Sequence, residues 1–365
     1  MADFNTFINL MKLEDVPVLG CIHTWINSSG SASSRLDRFL ISEGLISDWK
    51  IVAQCSGSRD ISDHRPVWIK SSNLDWGPKP FKVFNAWFQH KDFLGFVKTA
   101  WDSFQVRGKK YFVIREKFRM LKEKLIWWNK HVFGWIDLKI DDGVEELNEL
   151  ETDLAIGGDS LNPVEMEKRR VAAVGIWQNL HLKESMLKQK SRQKWIQEGD
   201  LNTKFFHASL KARNRRNSMI SLHTGSGVVD NVDQIKEVVR EHFCKRFSSV
   251  GSDRPHILNL GFNKLSEVDS CSLEEQFSRE EIKAAIFACE GDKSPGPDGF
   301  NLSFIKRCWS IVGEDFVAFI QEFHHLAKLP KAMTASFIAL IPKVDNPQKI
   351  EDFRPICLIG CFYKI

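Results

Sequence analysis

Cys-x-x-Cys pairs are missing from this chain, and its eight cysteines come no closer in sequence than Cys357 and Cys361. That spacing offers neither a zinc finger nor a secreted disulfide framework, so a reducing compartment, nucleus or cytoplasm, is expected. Uncharged apolar runs of about eighteen residues are also missing, and no basic stretch followed by an apolar one opens the chain, so neither a membrane span nor a signal peptide is expected. Net charge is small, at +4 over 365 residues. A nucleic-acid partner is therefore indicated only if positive charge is concentrated somewhere along the chain. Tyrosine is scarce, two residues against twelve Trp, and many of those Trp stand beside basic residues, a pattern open to base stacking or to core packing. What is present is ordinary for a folded protein. A hydrophobic share of 43% with 27% charged residues argues against global disorder, and the length suffices for two domains or one domain with a long linker.

The most specific stretch is Lys293-Ser294-Pro295-Gly296-Pro297-Asp298-Gly299-Phe300. Two prolines and two glycines in five positions forbid helix and central strand, so a tight loop is expected. Phe300, Phe304 and Ile305 then have helical spacing. Downstream stand Phe337-Ile338-Ala339-Leu340-Ile341-Pro342-Lys343 and Asp352-Phe353-Arg354-Pro355-Ile356-Cys357-Leu358. Loop, helix, apolar strand ending in Pro-Lys, and Arg-Pro-Ile in that order resemble the fingers-side opening of a reverse transcriptase, of the kind encoded by non-LTR, long interspersed retrotransposons of plants.

At the amino end, Phe4, Phe7, Ile8 and Met11 repeat at helical spacing behind Asp3, so Asp3-Phe4-Asn5 reads as a helix start rather than a metal-binding Asp-x-Asn. Cys21 to Asn27 and Leu36 to Ile41 read as strands of a hairpin across the Ser/Gly-rich Ser28 to Ser34, and Pro66 to Ile69 as a third strand. Ser62-Asp63-His64 precedes it directly. This set resembles the carboxy-terminal third of an endonuclease/exonuclease/phosphatase domain of the apurinic-endonuclease type, carried by the same elements, which hydrolyses phosphodiesters with a divalent metal. The resemblance makes His64 the acid–base imidazole and Asp37 its orienting carboxylate. It places Asp63 toward the metal and attacking water, and Trp25 on the DNA-facing surface. The family's upstream Glu and Asp-x-Asn are not in this chain, and Asp63 with at most one neighbour cannot hold magnesium. No nuclease activity is expected.

From Asp75-Trp76-Gly77-Pro78-Lys79-Pro80 the composition changes, marking a boundary. A helix is expected around Phe93 to Trp101, then one from Lys110 to about Leu154, a break at Gly157-Gly158-Asp159, and another from Val164 to about Gln197, together an antiparallel hairpin or coiled-coil-like arm. Lys183, Lys188, Lys190, Arg192, Lys194, Lys204, Lys211, Arg213, Arg215 and Arg216 form the densest positive region, with Trp195, Phe205, Phe206 and His207 interleaved. Such a region reads as a solvated face or as a contact with nucleic acid, with phosphates neutralised by the charges and bases stacked on the rings. The run Trp195 to His207 also resembles the linker between nuclease and polymerase in the plant elements, which implies a template-RNA or target-DNA partner.

A small hairpin at Ile220 to Val229, a helix from Asp233 to Phe247, an irregular connection at 248–266 and a Ser278/Glu281 capping box complete the pattern. The resemblance implies that Lys343 and Arg354 meet the triphosphate of an incoming nucleotide. Polymerisation also needs aspartates that hold two metal ions, and in the family these follow the Arg-Pro-Ile segment. The expected architecture is α+β. Residues 1–75 are expected as the end of an endonuclease β-sandwich, 76–217 as a helical basic linker, 218–277 as a small α/β connection, and 278–365 as the start of the fingers. The expectation is a truncated retrotransposon protein, catalytically inactive, with magnesium a cofactor of the intact family but not of this piece, exposing unpaired edges that favour aggregation. The rival is a retained, non-enzymatic RNA- or DNA-binding protein built on the basic region; neither needs a small-molecule substrate.

Overall fold

A computed structural model describes residues 2–59, 61–71, 75–157, 162–191, 203–225, 227–248, 261 and 264–365. Helices dominate and the sheets are small, an α and β mixture as expected. No helix among the described residues is long and apolar enough to cross a membrane. The chain forms two compact units, each gathered from three stretches. Met1–Pro78, Lys211–Leu260 and Ala339–Ile356 make the first; Lys79–Leu210, Gly261–Ile338 and Cys357–Ile365 make the second.

In the first unit, Ile51–Ser56 is the central strand of three, parallel to Val18–Leu19 and antiparallel to Val67–Ser71. Its Gln54 is buried yet fully employed. The amide nitrogen donates to Asp15 Oδ1 (2.9 Å) and the Val16 carbonyl (2.6 Å), and the amide oxygen accepts from the Phe39 N–H (2.9 Å), so one side chain ties the strand to Asp15-Val16 and to Phe39. Val16, Ile41, Ile46 and Ile51 form the core beside it.

The expected hairpin of Cys21–Asn27 with Leu36–Ile41 has a different register. Trp25–Ile26 pairs with Ser33–Ser34, while Leu40–Ser42 pairs with Leu13–Asp15. Asn27 explains the early closure: its side chain accepts from the Ala32 N–H (3.0 Å) and donates to Ser31 Oγ (3.0 Å), completing the turn before Leu36 is reached. A second core gathers Met219, Leu222, Ile235 and Phe353 around the hairpin Leu222–Thr224/Gly227–Val229 and the helix Val232–Phe247, whose Asn231 cap accepts from two backbone N–H groups.

The second unit has one large aromatic core. Trp87, Phe93, Phe118, Phe300, Phe304 and Phe316 are almost wholly buried among the helices Phe93–Ser103, Lys110–Trp128, Leu302–Arg307 and Trp309–Leu326. The helix expected unbroken from Lys110 to Leu154 is interrupted: after Trp128 one π turn, Asn129–Phe133, intervenes before Ile136–Gly157 resumes. Ile136–Gly157 and Pro163–Ser191 then lie antiparallel, tied by Lys183 to Asp137 (2.7 Å) and by Arg169 to Glu151 (2.7 Å). The capping box of Ser278 and Glu281 is present.

The loop at 293–300 has no helix or strand, as its prolines and glycines require. Gly299 has φ +83°, and a Cβ there would stand 2.6 Å from the Phe81 carbonyl oxygen. Gly296 lies against the backbone of Ile359 and Gly360, and Asp298 accepts from the N–H groups of Cys361 and Phe300. Burial pushes the Asp298 carboxyl above its ordinary pKa. The stretch is thus a clasp between distant parts of the second unit.

Candidate functional site

Thr24 organises the site in the first unit. It is 1% exposed, and its hydroxyl accepts from the backbone N–H groups of Leu36 (3.1 Å) and Asp37 (2.9 Å). Its carbonyl accepts from the Arg65 N–H (2.7 Å), and the Ile26 N–H donates to the Asp63 carbonyl (3.0 Å). Residues 24–26 are therefore held between the segments that carry Asp37 and Asp63-His64. The result is a contact of 2.8 Å between His64 Nδ1 and Asp37 Oδ2.

The electrostatics follow from that contact. The hydrogen bond to His64 holds the Asp37 carboxyl below its ordinary pKa, while Asp37 raises the His64 imidazole. An ionised carboxylate at Nδ1 selects the tautomer with its proton there, which leaves Nε2, on the far side of the ring, to give or take a proton. Both side chains are about two-fifths exposed, so Nε2 can meet solvent or a ligand. Trp25 donates from Nε1 to Asp63 Oδ2 (2.9 Å), so these two expected site residues share one cluster with the pair.

Magnesium does not fit this cluster. Among the described residues no three His, Cys, Asp or Glu side chains converge to hold a metal, and one Asp63 oxygen is already taken by Trp25. A hard cation needs several oxygens.

The basic residues are divided between the units. In the second, Lys190 is half-buried with Nζ 5.1 Å over the Phe84 ring, and burial lowers its pKa. The helix Thr203–Asn217 carries Lys204 and, within the first unit, Lys211, Arg213, Arg215 and Arg216. Lys211 pairs with Glu43 (2.8 Å), Arg215 with Glu14 (3.0 Å) and Arg216 with Asp345 (3.4 Å), while Arg213 is half-buried. Arg192, Lys194 and Trp195 lie outside the described residues. Arg216 and Asp345 are well exposed, and a pair of that kind contributes little to stability.

Ser336–Pro342 and Phe353–Ile359 are paired strands. Beyond the first, the Lys343 N–H donates to the Asp352 carbonyl (2.7 Å), and Lys343 Nζ donates to the Glu351 carbonyl (2.7 Å). Asp352 accepts from the N–H groups of Gln348 and Lys349, which lowers its pKa and closes the turn. Arg354 is exposed. Thr24 and the Trp25–Asp63 bond have no sequence signal, since a buried threonine shows only once its backbone partners are known.

No protein-family model matches the chain. It is similar to the Transposon TX1 uncharacterized 149 kDa protein of Xenopus laevis, 25% identical over 381 aligned residues that take in 99% of this chain and 28% of that protein. The chain thus spans well under a third of the length of that relative.

Proposed function

We propose that this chain is a segment of a protein encoded by a non-LTR retrotransposon, related to an RNA-directed DNA polymerase with an endonuclease, and that by itself it binds nucleic acid without cleaving or copying it. The observation that carries the reading is the Asp37–His64 contact at 2.8 Å, the acid–base half of a phosphodiester-hydrolysing centre, assembled from separate segments by Thr24. Similarity to a transposon protein along 99% of the chain supports the same origin. In this reading residues 1–75 belong to the endonuclease, 76–217 to the basic linker, 218–277 to a small connection and 278–365 to the polymerase fingers, with Lys343 and Arg354 toward the nucleotide.

His64 would shuttle a proton at Nε2 while Asp37 holds the ring; metal activation of water would have to come from ligands that the described residues do not supply. The basic helix supplies the affinity, its Lys and Arg exchanging carboxylate partners for phosphates and releasing counterions.

Two measurements test this. With magnesium, the purified chain is expected to leave supercoiled plasmid intact; nicking that His64→Ala abolishes would show that the chain cleaves DNA after all. Affinity for labelled single-stranded RNA is expected to fall steeply with salt. Changing Arg213, Arg215 and Arg216 to Ala should flatten that dependence by about 2 in the log–log slope. A triple variant that binds with the parent's affinity and slope would remove the basic helix from the interface.

A further inference from the structure

The π turn in the second unit sorts aromatic rings onto two faces. Inside, Trp128 and Phe133 stack at 5.7 Å with planes 26° apart, and Trp87 and Phe93 pack on Trp128. Outside, Trp127 and His131 stack at 4.8 Å with planes 21° apart. Trp127 is 52% exposed and Trp135, following the π turn, 50% exposed. His131 is fixed through Nδ1, which donates to the Trp127 carbonyl (2.8 Å), and Asn129 is fixed by the indole of Trp87 (3.1 Å). The outer stack is therefore exposed but mounted on a rigid core.

Its surroundings are positive. Lys124 and Lys130 are exposed and stand three residues before and after Trp127, beside it in the helical register. The acidic side chains adjoining in sequence are occupied, Glu123 by Arg119 (2.6 Å) and Asp137 by Lys183 (2.7 Å). Two parallel rings with an open face and ammonium groups around them suit an unpaired base and its phosphates, whereas bases inside a duplex have no free face to offer.

We infer that Trp127 and His131, flanked by Lys124 and Lys130, form a stacking platform for single-stranded nucleic acid. The inference rests on the proposed nucleic-acid role and adds a site outside the basic helix. π turns recur at functional sites, and this one leaves Trp127 and His131 on the exposed face while Trp128 and Phe133 are buried.

The test uses fluorescence anisotropy of the full chain with a labelled oligouridylate of about 12 nucleotides and with a duplex of equal length. Trp127→Ala with His131→Ala is expected to weaken single-strand binding about ten-fold and duplex binding less than about two-fold, with Trp127→Phe restoring most of the loss. Changing Lys124 and Lys130 to Gln should flatten the log–log salt dependence by about 1.4. Both rings being exposed, the double variant should melt within about 2 °C of the parent. If the parent binds and the double variant binds equally, the platform is refuted while the basic-helix reading stands. Equal losses on single strand and duplex would refute it too, as would unchanged binding with an altered oligomeric state, which marks the face as a protein contact. A parent that binds no oligonucleotide refutes both readings.

Discussion

Lys117 and Trp101 meet on one oxygen: the ammonium of Lys117 lies 2.8 Å, and the indole nitrogen of Trp101 2.9 Å, from Asp315 Oδ2. Lys117 also lies 5.2 Å over the Trp101 ring. A carboxylate on the helix Trp309–Leu326 thereby joins the helices Phe93–Ser103 and Lys110–Trp128 at the margin of the aromatic core.

Replacing Asp315 by Ala should cost about 2–3 kcal/mol, because a cation and an indole N–H, both largely shielded from water, lose their acceptor together. Asp315→Asn keeps one acceptor and should cost about half as much. Urea unfolding followed by tryptophan fluorescence measures both; a loss below about 0.5 kcal/mol for the Ala variant would show that solvent already serves the two donors.

The Asp37–His64 pair predicts a pH window with a definite sign. His64 has a raised pKa in the fold, so its contribution is complete below the ordinary value of about 6.5 and is lost as pH rises through the raised one. Asp37 has a lowered pKa, so its contribution is complete above about 3.9 and is lost as pH falls through the lowered one. Support from the pair should therefore be greatest between about pH 4 and 6.5. NMR titration of the His64 ring should give a value above the ordinary one in the parent, falling back toward it in Asp37→Asn. An Asp37→Asn titration superimposable on the parent's would deny the coupling.

Gly299→Ala should be among the most damaging small changes in the chain. The residue has φ +83°, and an added Cβ would stand 2.5 Å from Phe81 Cδ1 and 2.6 Å from the Phe81 carbonyl oxygen, whose backbone cannot retreat because the Val83 N–H donates to the Gly299 carbonyl (3.0 Å). The expected loss is about 2–4 kcal/mol, read as a lowered thermal midpoint in near-ultraviolet circular dichroism. An unshifted midpoint would mean that the loop is not held against Phe81.

Much of this architecture is legible from local chemistry. The Ser278/Glu281 capping box, the hairpin at 222–229 and the stop and restart of the helical arm all rest on short-range signals, and all are present. What escapes is non-local. Ile51–Ser56 is read as no element in the sequence, yet it is the central strand of three, and its Gln54 bonds Asp15 and Val16 on one stretch and Phe39 on another. The register of Trp25–Ile26 turns on which groups Asn27 bonds. Asp37 and His64 are singled out together only through the resemblance of their segments to the endonuclease family, and Thr24, whose hydroxyl accepts from the Asp37 N–H, is not singled out at all. The π turn is invisible to a periodicity argument, since one extra residue shifts the helical phase only after Trp128 has already matched.

That extra residue also crowds the backbone at Gly134. In the wide turn Gly134 passes close to the chain five residues back: a Cβ on it would stand 2.7 Å from the Asn129 carbonyl oxygen and 3.3 Å from that of Lys130. Gly175, inside the helix Pro163–Ser191, has nothing within 4 Å of the same added atom. Alanine at Gly134 must push the turn open, disturb the inner Trp128–Phe133 stack and cost about 2 kcal/mol or more, whereas alanine at Gly175 removes only backbone freedom from the unfolded chain and should gain about 0.5–1 kcal/mol. Thermal melts of the two single variants decide the matter. Opposite shifts establish that the π turn is a required feature of the second unit, and a Gly134→Ala protein as stable as the parent would mean that an ordinary α turn can replace it.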